Sequence, residues 1–133
     1  LDMVESQQSL RCSFEKGRSG PLRAGASAKC LLAHLPEAAR MGVLDAQWGP
    51  GTPARQAAQD ELDAIRRTGF AMSAAEVDPG VWGCSVPLFG ATRQAVGALT
   101  LMAPILRAQG QEQVLIRMAV VAAARISRQL AIH

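Results

Sequence analysis

Residues Pro21–Pro36 read PLRAGASAKCLLAHLP, and this stretch decides how the fold is organised. Small residues fill positions 25–28, and Leu31, Leu32 and Leu35 follow at helical spacing, which predicts a helix from about Ala24 to Leu35 that stops at Pro36. The N–H groups of a first helical turn have no partner within the helix and lie at the positive end of the helix dipole, where carboxylates bind favourably. The stretch therefore predicts an anion site at the start of a helix, with close packing of helix against sheet as the alternative explanation of its small residues.

The composition indicates one globular domain. The chain has 133 residues, of which 49% are hydrophobic and 19% charged, which is ordinary for a compact fold. Its net charge is +3, but the arginines are scattered and form no basic stripe of the kind that marks a nucleic-acid surface. Three cysteines without a CxxC pair predict neither a disulfide framework nor a zinc site. Apolar runs are far shorter than the ~18 residues of a membrane span, so we expect no membrane contact, and the cysteine pattern favours a reducing cytoplasm.

Turn and cap residues divide the first half of the chain. Short alternations of apolar and polar residues predict strands over Leu1–Ser6 and Ser9–Phe14. After the helix described above, Glu37–Leu44 is typical of a second, short helix. Thr52 as N-cap with Pro53 at the first helical position predicts the start of a third helix, and Gly69 predicts its end.

The second half changes to strand patterns before a last helix. A strand is predicted from Phe70, and Val81–Leu88 and Ala95–Met102 flank a turn over residues 90–93, which indicates a hairpin. The helix predicted over Gln111–Leu130 has an apolar face too broad for one contact, which favours the sheet on one side and a protein partner on the other. The order β-β-α-α-α-β-β-β-α predicts an α+β layered fold with a mostly antiparallel sheet flanked by helices.

Four motifs, in order and at compatible spacing, resemble the effector-binding domain of IclR-type bacterial transcription regulators. The chain is similar to that family over its whole length. The residues that carry the resemblance are Leu1–Ser6 (LDMVES), Pro21–Pro36, Glu61–Ala71 (ELDAIRRTGFA) and Pro79–Pro87 (PGVWGCSVP).

The resemblance implies a GAF-like (profilin-like) domain over residues 1–133, with the family's winged helix-turn-helix absent from these residues. It further implies a ligand-sensing role: a small organic acid effector binds here, and the signal passes to DNA through the missing N-terminal domain. A homodimer or homotetramer is expected. No enzymatic activity, cofactor, metal or catalytic residue is implied.

The family's effector cup lies between the sheet and the loop before the first helix. Carried over by alignment, its walls here would be Ala26, Ser27, Ser73, Gly83, Cys84, Thr100 and Met102. Ser73 and Ala74 stand where the family commonly has an acidic pair, and Ala28 replaces a usual glycine. These departures predict a less polar cup that takes an aromatic or aliphatic ligand, anchored through one acidic group at the N–H groups of Ala26 and Ser27.

Three other interpretations of the residues stay open. The domain is alternatively an oligomerisation module with a degenerate pocket, since the usual acid and glycine are missing. Cys30 and His34 lie one helical turn apart, a spacing that suits a thiolate–imidazole pair or two metal ligands, although a buried cysteine beside a partly exposed histidine is the commoner explanation. A small enzyme that uses Cys30 or Cys84 as nucleophile would need a lowered thiol pKa and a base within reach.

Overall fold

A computed structural model describes residues 9–14, 25–74 and 79–132. Its elements follow the order β1 (Ser9–Phe14), α1 (Gly25–Ala33), α2 (Glu37–Trp48), α3 (Pro53–Thr68), β2 (Ala71–Ala74), β3 (Val81–Phe89), β4 (Ala95–Pro104), α4 (Ile105–Ala108) and α5 (Glu112–Ile132). The predicted strand at Leu1–Ser6 lies outside the described residues. The α+β prediction is confirmed.

The described strands form one antiparallel sheet in the order β1-β4-β3-β2. The β3–β4 hairpin at its centre is the one predicted around residues 90–93. Side chains alternate between the two sheet faces. One face of β3 and β4 packs against α5, and the other packs against α1, behind which lie α2 and α3. The sheet is therefore covered by helices on both sides.

Cap residues set the bounds of the middle helices. Thr52 caps α3, since its side-chain oxygen accepts the N–H of Arg55 at 3.1 Å, and Gly69 ends the helix in the left-handed conformation with φ 91°. Both features were predicted. Helix α2 extends one turn beyond the predicted Leu44, because the residue that stops it is Gly49, at φ 84°, whose N–H donates to Asp45 O. The single turn α4 was not predicted.

Helix α5 has a buried face and an exposed apolar face. Leu115, Ile116, Ala119 and Ala123 pack on the sheet, whereas Val114, Met118 and Val121 lie on the outside and are 55%, 45% and 48% exposed. Side chains at this spacing form one stripe. Contact with the sheet thus accounts for the buried side of the broad apolar face of α5, but not for its exposed side. No helix within the described ranges is long and apolar enough to cross a membrane.

Candidate functional site

The first turn of α1 lies against the sheet. Gly25 begins the helix with φ 83°, a left-handed conformation that glycine adopts without strain. Ala26 is buried and Ser27 is half-buried. Further along the helix, Lys29 Nζ lies 2.9 Å from Glu61 Oε2 and so ties α1 to α3. The small residues thus allow the start of the helix to pack closely on the sheet, which is the alternative explanation given for the opening stretch, and the anion site there stays a prediction.

Three of the predicted wall residues meet at this point. Ser73 of β2 is the register partner of Gly83 on β3. A Cβ at position 83 would lie 3.3 Å from Ser73 Oγ and 3.9 Å from Ala26 Cβ. Helix α1 and the two strands are therefore already in van der Waals contact here, and glycine at position 83 permits that close approach.

A buried pair of hydroxyl groups continues the same face of the sheet. Met102 pairs with Gly83 and Thr100 pairs with Ser85, so these residues share one face, as alternation predicted for Thr100 and Met102. Ser85 Oγ lies 2.6 Å from Thr100 Oγ1, and both residues are buried. Ser85 was not among the predicted wall residues, although its position two residues after Gly83 is a signal that could have identified it.

The prediction for Cys84 is wrong. Because side chains alternate along β3, its thiol points to the opposite face and packs in the cluster formed with α5, beside Leu101 and Leu115. Trp82 belongs to that cluster too, so it is a core residue and lines no cup on the α1 side.

The two buried thiols are poorly suited to nucleophilic chemistry. Burial raises the pKa of both Cys30 and Cys84 to about 12, so each is a protonated thiol near neutral pH. His34 Nδ1 lies 2.9 Å from Cys30 O. That carbonyl can only accept, so Nδ1 carries the proton and donates to backbone, and this nitrogen cannot serve as the base for the Cys30 thiol. Among the described residues no three His, Cys, Asp or Glu side chains are grouped to hold a metal ion.

Comparison with known proteins gives the family. Residues 1–128 match the family model described as bacterial transcriptional regulator IclR C-terminal. The HTH-type transcriptional regulator Rv1719 of Mycobacterium tuberculosis is 33% identical over 116 residues, which are 84% of this chain and 44% of that protein. The chain thus spans less than half the length of this relative.

Solved structures show the same fold. The C-terminal domain of a transcriptional regulator from Vibrio cholerae is 35% identical with a TM-score of 0.69, over 93% of this chain and 73% of that one. The inducer-binding domain of PobR from Acinetobacter, solved as a double mutant with 3-hydroxybenzoic acid, is 18% identical with a TM-score of 0.75, over 94% and 90% of the two chains. The family consists of transcriptional regulators and not of enzymes. This chain belongs to it, as an IclR-type C-terminal domain.

Proposed function

We propose that this domain senses a small organic acid and passes the signal to a separate DNA-binding domain. The observation that carries the proposal is the meeting of Ala26, Ser73 and Gly83 at the start of α1. The first-turn N–H groups attract a carboxylate, and residues with small side chains let a ligand approach the backbone closely. A cytoplasmic location follows from this role.

The chemistry of the wall favours an acid with an apolar or aromatic body. Ala26 and Met102 supply apolar surface and Ser73 supplies a hydroxyl group, while the buried hydroxyl groups of Ser85 and Thr100 bind each other on the same face. No carboxylate or cation belongs to this set. The ligand of the PobR domain, 3-hydroxybenzoic acid, is of the same class. Signalling requires that the ligand bind one arrangement of the protomers better than another.

A thermal-shift screen against small carboxylates and aromatic acids tests the proposal. A ligand bound only by the folded state adds about 2.7 kcal/mol of stability at a concentration of a hundred times its Kd. We expect dose-dependent shifts that Ser27→Trp abolishes, because the indole fills the space at the helix start. Ala57→Trp, on the exposed side of α3, is the matched control and should respond as the wild type does. Equal thermal shifts of the Ser27→Trp and Ala57→Trp variants would contradict ligand binding at the start of α1.

The outer stripe of α5 favours a second role in oligomerisation. Val114, Met118 and Val121 are exposed at helical spacing, and contiguous apolar surface of this kind is typical of protein contacts. We expect Met118→Lys to lower the oligomeric mass measured by light scattering, and Gln113→Lys, on another side of the same helix, to leave it unchanged. A stable oligomer without any ligand response would favour a pure oligomerisation module.

A further inference from the structure

A separate cleft lies at the other end of α1, away from Ala26 and Gly83. Its volume is about 600 Å³. It is bounded by the end of α1 and the following turn, the start of α2, the end of α3 and the β3–β4 turn. No residue of the predicted cup lines this cleft, so the cleft is a separate feature of the structure.

Three arginines make this cleft electropositive. Arg40, Arg66 and Arg93 line it, and Glu37 is the one carboxylate in the lining. In the part of the chain that the structure describes, the ion pairs are Lys29–Glu61 and Arg55–Asp45, and neither includes a cleft arginine. Arg40 is only 7% exposed. A cation this deeply buried is costly without a counter-charge, so the cleft favours an anion.

Hydrogen bonds to backbone hold two of these guanidinium groups in place. Arg40 Nη1 donates to Leu35 O at 2.8 Å, and Arg66 Nη1 donates to Ala33 O at 3.1 Å. These carbonyls belong to the end of α1 and the turn after it, where cations are favourable. Each bond uses one N–H, and a guanidinium has further donors to offer a ligand. Each of these two guanidinium groups is therefore oriented by a bond to backbone that needs no ligand.

The wall between the arginines is apolar and includes an aromatic ring. Leu31 and Leu35 line the cleft beside Phe89, which is 37% exposed. The Phe89 ring meets His34 edge-on, with centroids 6.1 Å apart and planes at 81°, and the Phe89 N–H donates to Ser127 Oγ at 3.0 Å. The ring is thus held at the rim of the cleft.

His34 adds no positive charge of its own near neutral pH. Burial lowers its pKa, and the nearby charges of Arg66 and Arg40 lower it further, against the raising effect of the hydrogen bond with Cys30 O. The same two cations that disfavour a protonated imidazole would attract a bound carboxylate.

We propose that this cleft is a second ligand site, which binds a small aromatic carboxylate with its charge against Arg40, Arg66 and Arg93 and its ring against Phe89 and Leu31. The site is independent of the cup at the start of α1. Guanidinium groups bind carboxylates through charge-assisted hydrogen bonds, and a flat apolar body gains from contact with an aromatic wall.

Benzoate is the probe, followed by amide-resolved NMR spectra of the 133-residue chain at low ionic strength. We expect saturable shifts at Phe89, Arg93, Gln94 and Ala95, distinct from any shifts at Ser73 and Gly83 that report the cup. Benzyl alcohol keeps the ring without the charge and should leave the cleft signals unchanged. Acetate keeps the carboxylate without the ring and should bind more weakly than benzoate.

Two arginine variants and one matched control complete the test. Arg66→Gln and Arg93→Asn should each weaken benzoate binding at the cleft roughly tenfold, since a hydrogen bond to a charged group contributes about 1.5 kcal/mol or more. Arg67→Gln removes an exposed charge from the neighbouring position outside the lining and should bind as the wild type does. Asparagine suits position 93, where φ is 65°, so that variant should keep the fold even if Arg66→Gln does not.

Unchanged affinity in Arg93→Asn, or equal weakening in Arg67→Gln, would overturn the proposal. Shifts confined to Ser73 and Gly83 would also overturn it while supporting the cup. Equal binding of benzyl alcohol would show that the arginines recognise no charge, and equal binding of acetate would show that the apolar wall plays no part.

Discussion

Removal of one hydroxyl from the Ser85–Thr100 pair should destabilise the domain more than removal of both. The two oxygens are 2.6 Å apart, and the residues are 0% and 6% exposed. Ser85→Ala leaves the Thr100 hydroxyl buried without this partner, and Thr100→Val does the same to Ser85. An unsatisfied buried hydroxyl costs about 1–3 kcal/mol, whereas replacing both partners by apolar groups of similar shape is nearly neutral.

We therefore expect each single substitution to lower the free energy of unfolding by about 2 kcal/mol, and the double substitution to lower it by less than ~1 kcal/mol. The double variant would then be about 3 kcal/mol more stable than the sum of the two single effects implies. Urea unfolding measures all three. With an m value of about 1.5 kcal/mol/M, each single substitution should lower the midpoint by roughly 1.3 M at unchanged m.

The prediction is refuted if the stability losses of Ser85→Ala and Thr100→Val simply add in the double variant. Additive losses would mean that each hydroxyl has its own independent partner. The double variant is also a functional probe, because it removes two polar groups from the face that carries Gly83 and Met102 while keeping the domain folded. We expect it to give a smaller thermal shift than the wild type with any acid that the wild type binds in the cup.

Three further predictions concern the helix caps, the cup and the cleft. Thr52→Ala should cost about 1 kcal/mol in urea unfolding, because it removes the N-cap oxygen of α3, and Thr52→Ser should retain most of the stability. Gly83→Ala should weaken effector binding but change the free energy of unfolding by less than ~1 kcal/mol, since alanine is favoured over glycine in a strand by about that amount and Ser73 must yield only slightly. Gly42→Ala, in open space on α2, should raise stability without any effect on binding. The pKa of His34 in the folded state is lowered from 6.5, so as the pH falls the unfolded chain takes up this proton before the folded protein does. The free energy of unfolding should therefore fall as pH drops below about 6.5. Urea titrations at several pH values measure this dependence, and His34→Gln should remove it.

Much of the fold could be predicted because its bounds are set locally. Thr52, Pro53 and Gly69 fix α3 through side-chain capping and backbone conformation alone, and the alternation of β3 and β4 follows from a period of two. The end of α2 was misjudged because Leu44 looked like the last apolar contact, whereas a helix continues until a residue such as Gly49 stops it. Local sequence signals therefore predict where helices and strands lie, but they predict the end of a helix only where a capping residue is recognised.

The sheet face that carries the proposed cup could be predicted in part, and the errors about that face have a physical reason. Ala26, Ser73 and Gly83 meet as the resemblance implied. Alignment assigns positions along a strand but does not by itself say which face each side chain takes, so Cys84 was included and Ser85 was left out. The strand period corrects both errors at once, because the residues that share a face with Gly83 are the ones two positions away.

The arginine cleft could not be predicted from sequence, because its parts are distant along the chain. Arg40, Arg66 and Arg93 belong to α2, α3 and the β3–β4 turn, and each looks like one of many scattered surface charges. What draws two of them together is the end of α1, whose carbonyls Arg66 and Arg40 bind. The helix is therefore electropositive at both ends for different reasons: its own dipole at the start, and side chains that more than offset the dipole at the end. A helix with two such ends can attract carboxylates at both.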